Sequence, residues 1–491
     1  MNNLSERLAN LSPEQRSQLL SRLRGGVAVS PTKDRPFVPK SLDLKAEVTL
    51  ADEIRPQAPV DLAQLEHVVT NPTAVFVTGG TGFLGAFLIQ DLLRHTAADV
   101  YCLTRANSVG EAKTRLQQNL SRYEIWQPAW ASRIVPVLGD ITQPLLGLTE
   151  AAFGALSQKL DAIYHSAAML NYILPYSALK KPNVQGTQEI LRLACQNKTK
   201  PVHYVSSVAV FESSAYAGRV LTEADPLDST EGMFIGYSHS KWVAEQVMLL
   251  GRDRGIPITI HRASFISGDS NTGITNTNDF VCMMLKQCFR MGVMPDLTFM
   301  LDASPVDYVS RSIVYLSMQP QSIGHVFHLQ HPQAITLKTL GSAYRLLGLD
   351  LRQIPYREWV AALKADAAQD AENPFNRLLP FFTQEYEEGL TLPELNAAER
   401  RPTISCEATL NALEGSGIVC PPPDARMLGR FLSYFIQSGF LELPLLSRLN
   451  PILLYVIATP GQKAIALAVF LSLVGLGLSL PRWQPLLSSG L

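Results

Sequence analysis

The chain has 491 residues, 42 Lys and Arg against 43 Asp and Glu, and a formal net charge of -1. Hydrophobic residues make up 46% and charged residues 17%, with glycine and proline near ordinary levels, which excludes a disordered chain and a fibrous repeat. A charge so close to zero provides no field for nucleic acid, and none is expected as a partner. The six cysteines (Cys102, Cys195, Cys282, Cys288, Cys406, Cys420) form no CxxC pair and no His/Cys cluster. Neither a disulfide framework nor a bound metal is therefore expected, and a reducing cytoplasm is the default. The first thirty residues lack the apolar core of a secretory signal.

In chain order, residues 1–25 carry a short amphipathic helix. Ser12 is a good N-cap, Pro13 suits the first helical position, Leu19, Leu20 and Leu23 form an apolar stripe, and Gly25 and Gly26 end it. It is either a packing helix or one that docks onto a partner protein. Residues 26–70 hold several prolines and no sustained period, and are read as a linker. Residues 71–262 alternate short apolar runs with helical patterns. The runs Ala74–Thr78, Val100–Leu103, Ile134–Leu138, Ala162–Tyr164, Val202–Val205 and Ile258–Ile260 are rich in β-branched and aromatic residues but do not alternate. Strands of that kind separated by helices predict an α/β fold, a Rossmann-type doubly wound parallel sheet covered on both faces. Residues 263–440 are more helical and irregular and are assigned to a smaller substrate domain, with the part around Pro305 to Leu316 packing back on the first domain.

Residues 441–491 form an apolar tail. Between Lys463 and Arg482 there is no charge. A helix from Ala464 to Leu480 would span about 26 Å, a little short of the ~30 Å hydrocarbon core of a bilayer. The tail is either a membrane anchor, with the catalytic part facing the cytoplasm, or a packed helix.

Thr78-Gly79-Gly80-Thr81-Gly82-Phe83-Leu84-Gly85 follows a strand and opens a helix. The glycines at 79, 82 and 85 would give a tight turn, close approach to a pyrophosphate and close helix–sheet contact, and the helix N-terminus offers unpaired N–H groups to phosphates. The next strand ends in Leu103-Thr104-Arg105, with no acid for a ribose hydroxyl. An arginine there pairs with a 2′-phosphate, so NADPH is expected. Arg115 is either a second contact or a surface charge. Asp140 either accepts from the adenine amine, with Ile141 beside the ring, or is an ordinary turn acid.

Tyr237 and Lys241 stand at i and i+4 in Tyr237-Ser238-His239-Ser240-Lys241, which places both on one face of a helix. A nearby cation lowers a phenol's pKa, so the lysine is expected to tune the tyrosine and to hold the nicotinamide ribose. Ser207 ends an apolar strand where ligands of open α/β folds sit, and its hydroxyl can donate to a carbonyl oxygen as that oxygen gains charge.

The glycine loop with Ser207, Tyr237 and Lys241 resembles the extended short-chain dehydrogenase/reductase family. More narrowly, His165 to Tyr176, Pro182-Asn183-Val184-Gln185-Gly186-Thr187, Gly236 to Trp242, Gly268 to Gly273 and Pro305-Val306-Asp307-Tyr308-Val309 resemble the thioester reductase domains that terminate carboxylic acid reductases and nonribosomal peptide synthetases. The segment LSPEQRSQLLSRLR resembles stretches near domain starts of peptide and polyketide assembly lines. The resemblance implies NADPH-dependent reduction of an acyl thioester to an aldehyde, and on to the alcohol if a second round follows. The acyl group would arrive on the phosphopantetheine of an acyl carrier protein or on coenzyme A, because residues 1–70 are too short for an adenylation or carrier domain. Carried across by position, Thr81, Gly82, Phe83, Leu84, Arg105, Arg115, Asp140 and Ala168 would line the cofactor. Ser207, Tyr237 and Lys241 would act on the thioester, and Asn183 would hold a water or a backbone kink. Two other readings stay open: a nucleotide-sugar epimerase or dehydratase on the same scaffold, and a non-catalytic NADP-sensing interaction protein.

Overall fold

The computed structural model describes residues 42–441, apart from 300, 334, 335, 338, 339, 342, 343 and 345–350. The expected N-terminal helix over residues 1–25 and, beyond Leu441, the apolar tail lie outside the described residues. No helix among the described residues is long and apolar enough to cross a membrane.

Seven strands form one parallel sheet: β1 (Ala74–Thr78), β2 (Asp99–Thr104), β3 (Ile134–Leu138), β4 (Ala162–His165), β5 (Val202–Ser207), β6 (Ile258–Ala263) and β7 (Val326–Leu329). Their order is 3-2-1-4-5-6-7. β1 and β6 are buried along their whole length, which is why apolar residues run through them without alternating. The register sets Val77 beside Cys102, Thr78 beside His165 and Ser207 beside Ala263. The C-terminal ends of these strands thus share one edge, where open α/β sheets bind ligands.

The helices that matter here are α1 (Leu62–Thr70), α2 (Phe83–His95), α3 (Val109–Arg122), α4 (Glu150–Lys159), α5 (Gly186–Cys195), α6 (Gly236–Asp253), α7 (Phe280–Met291), α8 (Val306–Ser317) and α9 (Ala425–Gln437). Leu88 and Leu92 of α2, Leu116 and Leu120 of α3, and Val309 and Ile313 of α8 share one buried core with Val75 and Val77. Phe153 of α4, Ile190 and Leu191 of α5, and Trp242 and Val247 of α6 share another with Phe76 and Ile163, so alternate residues of β1 feed opposite faces. Pro305 to Leu316 does return to the sheet. Ser310 donates to the buried Asp91 at 2.6 Å, and Ser317 meets Tyr164 OH at 2.7 Å.

The structure departs from the sequence reading in two places. The stretch read as a linker is packed from residue 43 onward and ends in α1, whose N-cap Asp61 accepts from Ala63 and Gln64 N–H. Leu44, Leu50 and Ile54 are buried in the core of the α5/α6 face. Arg254 donates to the carbonyls of Leu50, Ala51 and Ile54, so irregular backbone that shows no period is held by one guanidinium. The sheet also takes its seventh strand from 326–329, inside the stretch assigned to the substrate domain. The lobe after β6 packs α7 and α9 around Leu285, Trp359, Phe382 and Phe431, and its core reaches Tyr237 on α6.

Candidate active site

β1 runs into a turn with Gly79 at φ +80°, in the left-handed region that favours glycine. A β-carbon there would stand 2.8 Å from Ser166 Oγ and 2.9 Å from Ala167 N. At Gly85 it would run into the Gly79 carbonyl oxygen, so α2 crosses the turn at a distance only glycine allows. Gly82 caps α2 without a side chain, and its N–H donates to Gly79 O at 2.8 Å. Thr81 and Gly82 are exposed, Phe83 and Leu84 half-buried and Gly85 buried. Phe83 also packs on Phe87 and Tyr123, with ring centroids at 5.5 and 5.0 Å. Asn119 of α3, which the sequence reading missed, donates to the carbonyls of Gly80 and Gly82 and braces the loop from outside. A single asparagine on a surface helix carries no signal that would have found it.

Arg105 follows β2 directly and is exposed, and Arg115 reaches from α3 to donate to the Arg105 carbonyl. Among the described residues neither guanidinium pairs with a carboxylate. Two cations beside a glycine loop, neither neutralised by a carboxylate among the described residues, fit the phosphates of a dinucleotide, the 2′-phosphate included. Asp140 Oδ1 accepts from Thr142 N and Oγ1, both at 2.9 Å, so that oxygen closes a turn. Ile141 fills the space a side chain at Gly186 would need. Ala168 is exposed just past β4, next to Ala167, whose N–H donates to Thr78 Oγ1 at 3.1 Å.

Ser207, Tyr237 and Lys241 come together at the end of β5 and the start of α6. Ser207 Oγ accepts from Ala209 N at 3.2 Å, which leaves its proton free to donate. A hydrogen bond from Ser207 lowers the pKa of Tyr237, but burial raises it more, and the nearby Glu212 carboxylate adds to the rise. The phenol therefore holds its proton at neutral pH. Lys241 is 2% exposed, and its amine donates to Tyr204 OH at 2.8 Å and to Val205 O at 2.7 Å, lying 4.3 Å from the Tyr204 ring centre. Burial pulls its pKa down to about 7, with Glu245 opposing. The lysine therefore does not lower the tyrosine's pKa as the sequence suggested. Its amine is held by β5, and desolvation governs the phenol.

Several buried groups around this trio were not read from sequence. Glu245, one turn beyond Lys241, accepts from Ser206 Oγ and pairs with Arg262 at 2.7 Å, both side chains being almost fully buried. Arg262 continues to His328 at 3.1 Å. Glu212 lies 3.7 Å from Arg401. His165 bridges Thr78 and Thr187 at 2.8 and 3.1 Å, and burial drives its pKa down to about 3. Thr187 donates to Asn183 O, so His165 Nε2 carries the proton and Nδ1 accepts from Thr78. Asn183 sits in a π-helical turn, Lys181–Gln185, where Pro182 lacks the N–H that a regular ladder needs. It clamps Met169 through both backbone groups and donates to Ser240 at 2.8 Å, which ties the 169–174 loop to α6. Gly236 lets that loop approach, since a side chain there would meet the Leu174 carbonyl.

A tyrosine and a lysine one helical turn apart, set against a strand-end serine and across the sheet edge from a glycine loop, are the arrangement of extended short-chain dehydrogenase/reductases. The chain is an oxidoreductase of that class and uses NADPH. Residues 77–313 match the family model described as Male sterility protein. The solved terminal R domain from the myxalamid PKS-NRPS biosynthetic pathway is 41% identical, with a TM-score of 0.74 over 81% of this chain and 98% of that one. The chain belongs to this family of terminal reductase domains. A component of the linear gramicidin synthase of Brevibacillus parabrevis is 39% identical over 370 residues, 75% of the chain. The L-2-aminoadipate reductase of Penicillium chrysogenum is 30% identical in its large subunit over 432 residues, 83% of the chain. The chain spans 7% and 30% of the lengths of these two proteins, so it corresponds to one part of each.

Proposed function

We propose that this chain reduces an acyl thioester, presented on the phosphopantetheine arm of a carrier protein, to an aldehyde and a free thiol. The observation that carries the proposal is the pairing of a proton-bearing Tyr237 with Ser207 at the sheet edge beside the glycine loop. In this reading Gly79, Thr81 and Gly82 cradle the dinucleotide phosphates, Gly85 lets α2 cross close to that turn, Arg105 and Arg115 hold the 2′-phosphate, and Phe83, Leu84, Asp140, Ile141 and Ala168 flank the rest. Bound NADPH supplies the two electrons of the reduction as hydride. Ser207 and Tyr237 donate to the thioester carbonyl oxygen, and Tyr237 gives up its proton as that oxygen gains charge. Lys241, whose amine Tyr204 and Val205 hold, would meet the ribose hydroxyls in this reading. Loss of the thiol from the resulting hemithioacetal leaves the aldehyde.

The 169–174 loop supports an acyl-arm substrate. Tyr172 packs its ring 6.0 Å from that of Tyr237, while Met169, Leu170, Ile173 and Leu174 expose apolar side chains. Apolar groups gathered at the rim of a polar site suit an acylated arm better than a nucleotide sugar. The test is NADPH oxidation with a carrier-bound acyl thioester, with products followed by mass spectrometry. Wild type should give aldehyde, and Tyr237→Phe should lose turnover while still binding NADPH. Normal turnover by that variant would overturn the assignment.

A further inference from the structure

The lobe after β6 holds a cavity of about 320 Å³ between α7, α9 and the chain just past β6. Phe265, Val281, Leu285, Leu428, Phe431 and Phe435 make up much of its wall, and none of its lining side chains among the described residues is charged. Two runs of neighbouring residues connect its wall to the reacting trio. Ser207 pairs in the sheet with Ala263, two residues before Phe265. The Tyr237 ring lies 6.0 Å from that of Tyr172, which lies 5.3 Å from Phe280, the neighbour of Val281 in the wall. One lining hydroxyl, Ser267 Oγ, is buried and has no hydrogen-bond partner among the described residues.

We infer that this cavity takes the aliphatic part of the acyl group, so that the preferred substrate is a thioester of an uncharged, medium-length chain. The inference rests on the thioester reductase reading and specifies its substrate. A cavity at the lower end of the usual ~300–1,000 Å³ for bound small molecules suits one unbranched chain. At about 30 Å³ per group, taking a methylene as the size of a water, it holds on the order of ten carbons. A carboxylate on the chain, as in an adipyl group, would be desolvated here with no cationic side chain in the described lining to meet it. The amide-rich pantetheine arm would leave most of its polar groups unpaired against these walls.

The test uses acyl-pantetheine thioesters of four to fourteen carbons together with the adipyl thioester, on wild type, Leu285→Trp and the milder Leu428→Phe. A dansyl-labelled undecanoic acid serves as a binding probe that needs no turnover. For wild type, kcat/KM should rise about fourfold per methylene, the equivalent of ~0.8 kcal/mol, and level off near ten carbons. The adipyl thioester should fall at least tenfold below the hexanoyl one. Either cavity-filling variant should flatten the gradient and weaken the probe, with a loss on the ten-carbon thioester at least tenfold greater than on the four-carbon one. A flat gradient in an active wild type, equal losses on short and long chains in both variants, or displacement of the probe by free pantetheine would overturn the inference. Probe binding that the variants abolish, with no thioester of any length reduced, would instead reject the reductase reading and leave the apolar site standing.

Discussion

The Lys241 amine has two protein acceptors, Tyr204 OH at 2.8 Å and Val205 O at 2.7 Å, in a setting where burial already brings its pKa to about 7. Tyr204→Phe removes one acceptor and keeps the ring that lies 4.3 Å away. A hydrogen bond to a charged group contributes ~1.5–3 kcal/mol. At 1.36 kcal/mol per unit, losing it lowers the lysine's pKa by about one to two further units. If the ammonium is the working form, kcat/KM for NADPH-dependent thioester reduction falls above pH about 7 in wild type, and in the variant that fall moves to about pH 5–6. The assay is the pH profile of kcat/KM for both proteins. Linkage gives a second readout. Lys241 binds its proton less readily in the folded chain than in the unfolded one, where its pKa is ~10.4, so the native state holds fewer protons between pH 7 and 10 and stability rises with pH across that window. The variant should lose more stability at pH 6 than at pH 9. An alkaline limb that stays in place, or a stability loss independent of pH, would refute the claim that Tyr204 holds the charged amine.

Gly85→Ala forces a methyl into the Gly79 carbonyl, and overpacking of this kind costs about 1–3 kcal/mol; NADPH affinity by calorimetry should drop about ten- to hundredfold. Arg105→Asp removes an unpaired cation at the end of β2 and should weaken NADPH about ten- to hundredfold, the equivalent of ~1.5–3 kcal/mol, while NADH binding changes little. Equal losses for both cofactors would reject the phosphate role. Glu245→Ala strands Arg262, which is 2% exposed, and should destabilise the fold by about 3–5 kcal/mol in a denaturant titration. A loss under about 1 kcal/mol would mean that His328 and water compensate for the missing carboxylate.

The sheet was legible because buried parallel strands are short, rich in β-branched and aromatic residues and do not alternate, and six of the seven were found as such runs between helical patterns. The seventh, Val326–Leu329, is a four-residue run with a histidine inside the irregular stretch after residue 262, away from the strand–helix alternation that marks the other six. His328 can be buried there because Ser405 O and Arg262 meet its two ring nitrogens, and no local pattern reports partners 66 and 77 residues away. The strap over 43–56 was missed for a related reason. Its burial depends on Arg254, about 200 residues on, which satisfies backbone that adopts no regular structure.

At the site the same division holds, and it separates placement from charge. Fixed spacing locates Gly79, Gly85, Tyr237 and Lys241, since a turn, a close crossing and a helical face are all short-range geometry. The protonation of those groups is set by what lies across the sheet edge. Tyr237 was expected to be tuned by the lysine on its own helix, yet burial, Ser207 from β5 and Glu212 set its pKa. Lys241 in turn answers to Tyr204 and Val205 of the strand and to Glu245 one turn further along α6. An i,i+4 pair shares a face, but both members are buried against β5, so the strand rather than the spacing decides which proton each one keeps.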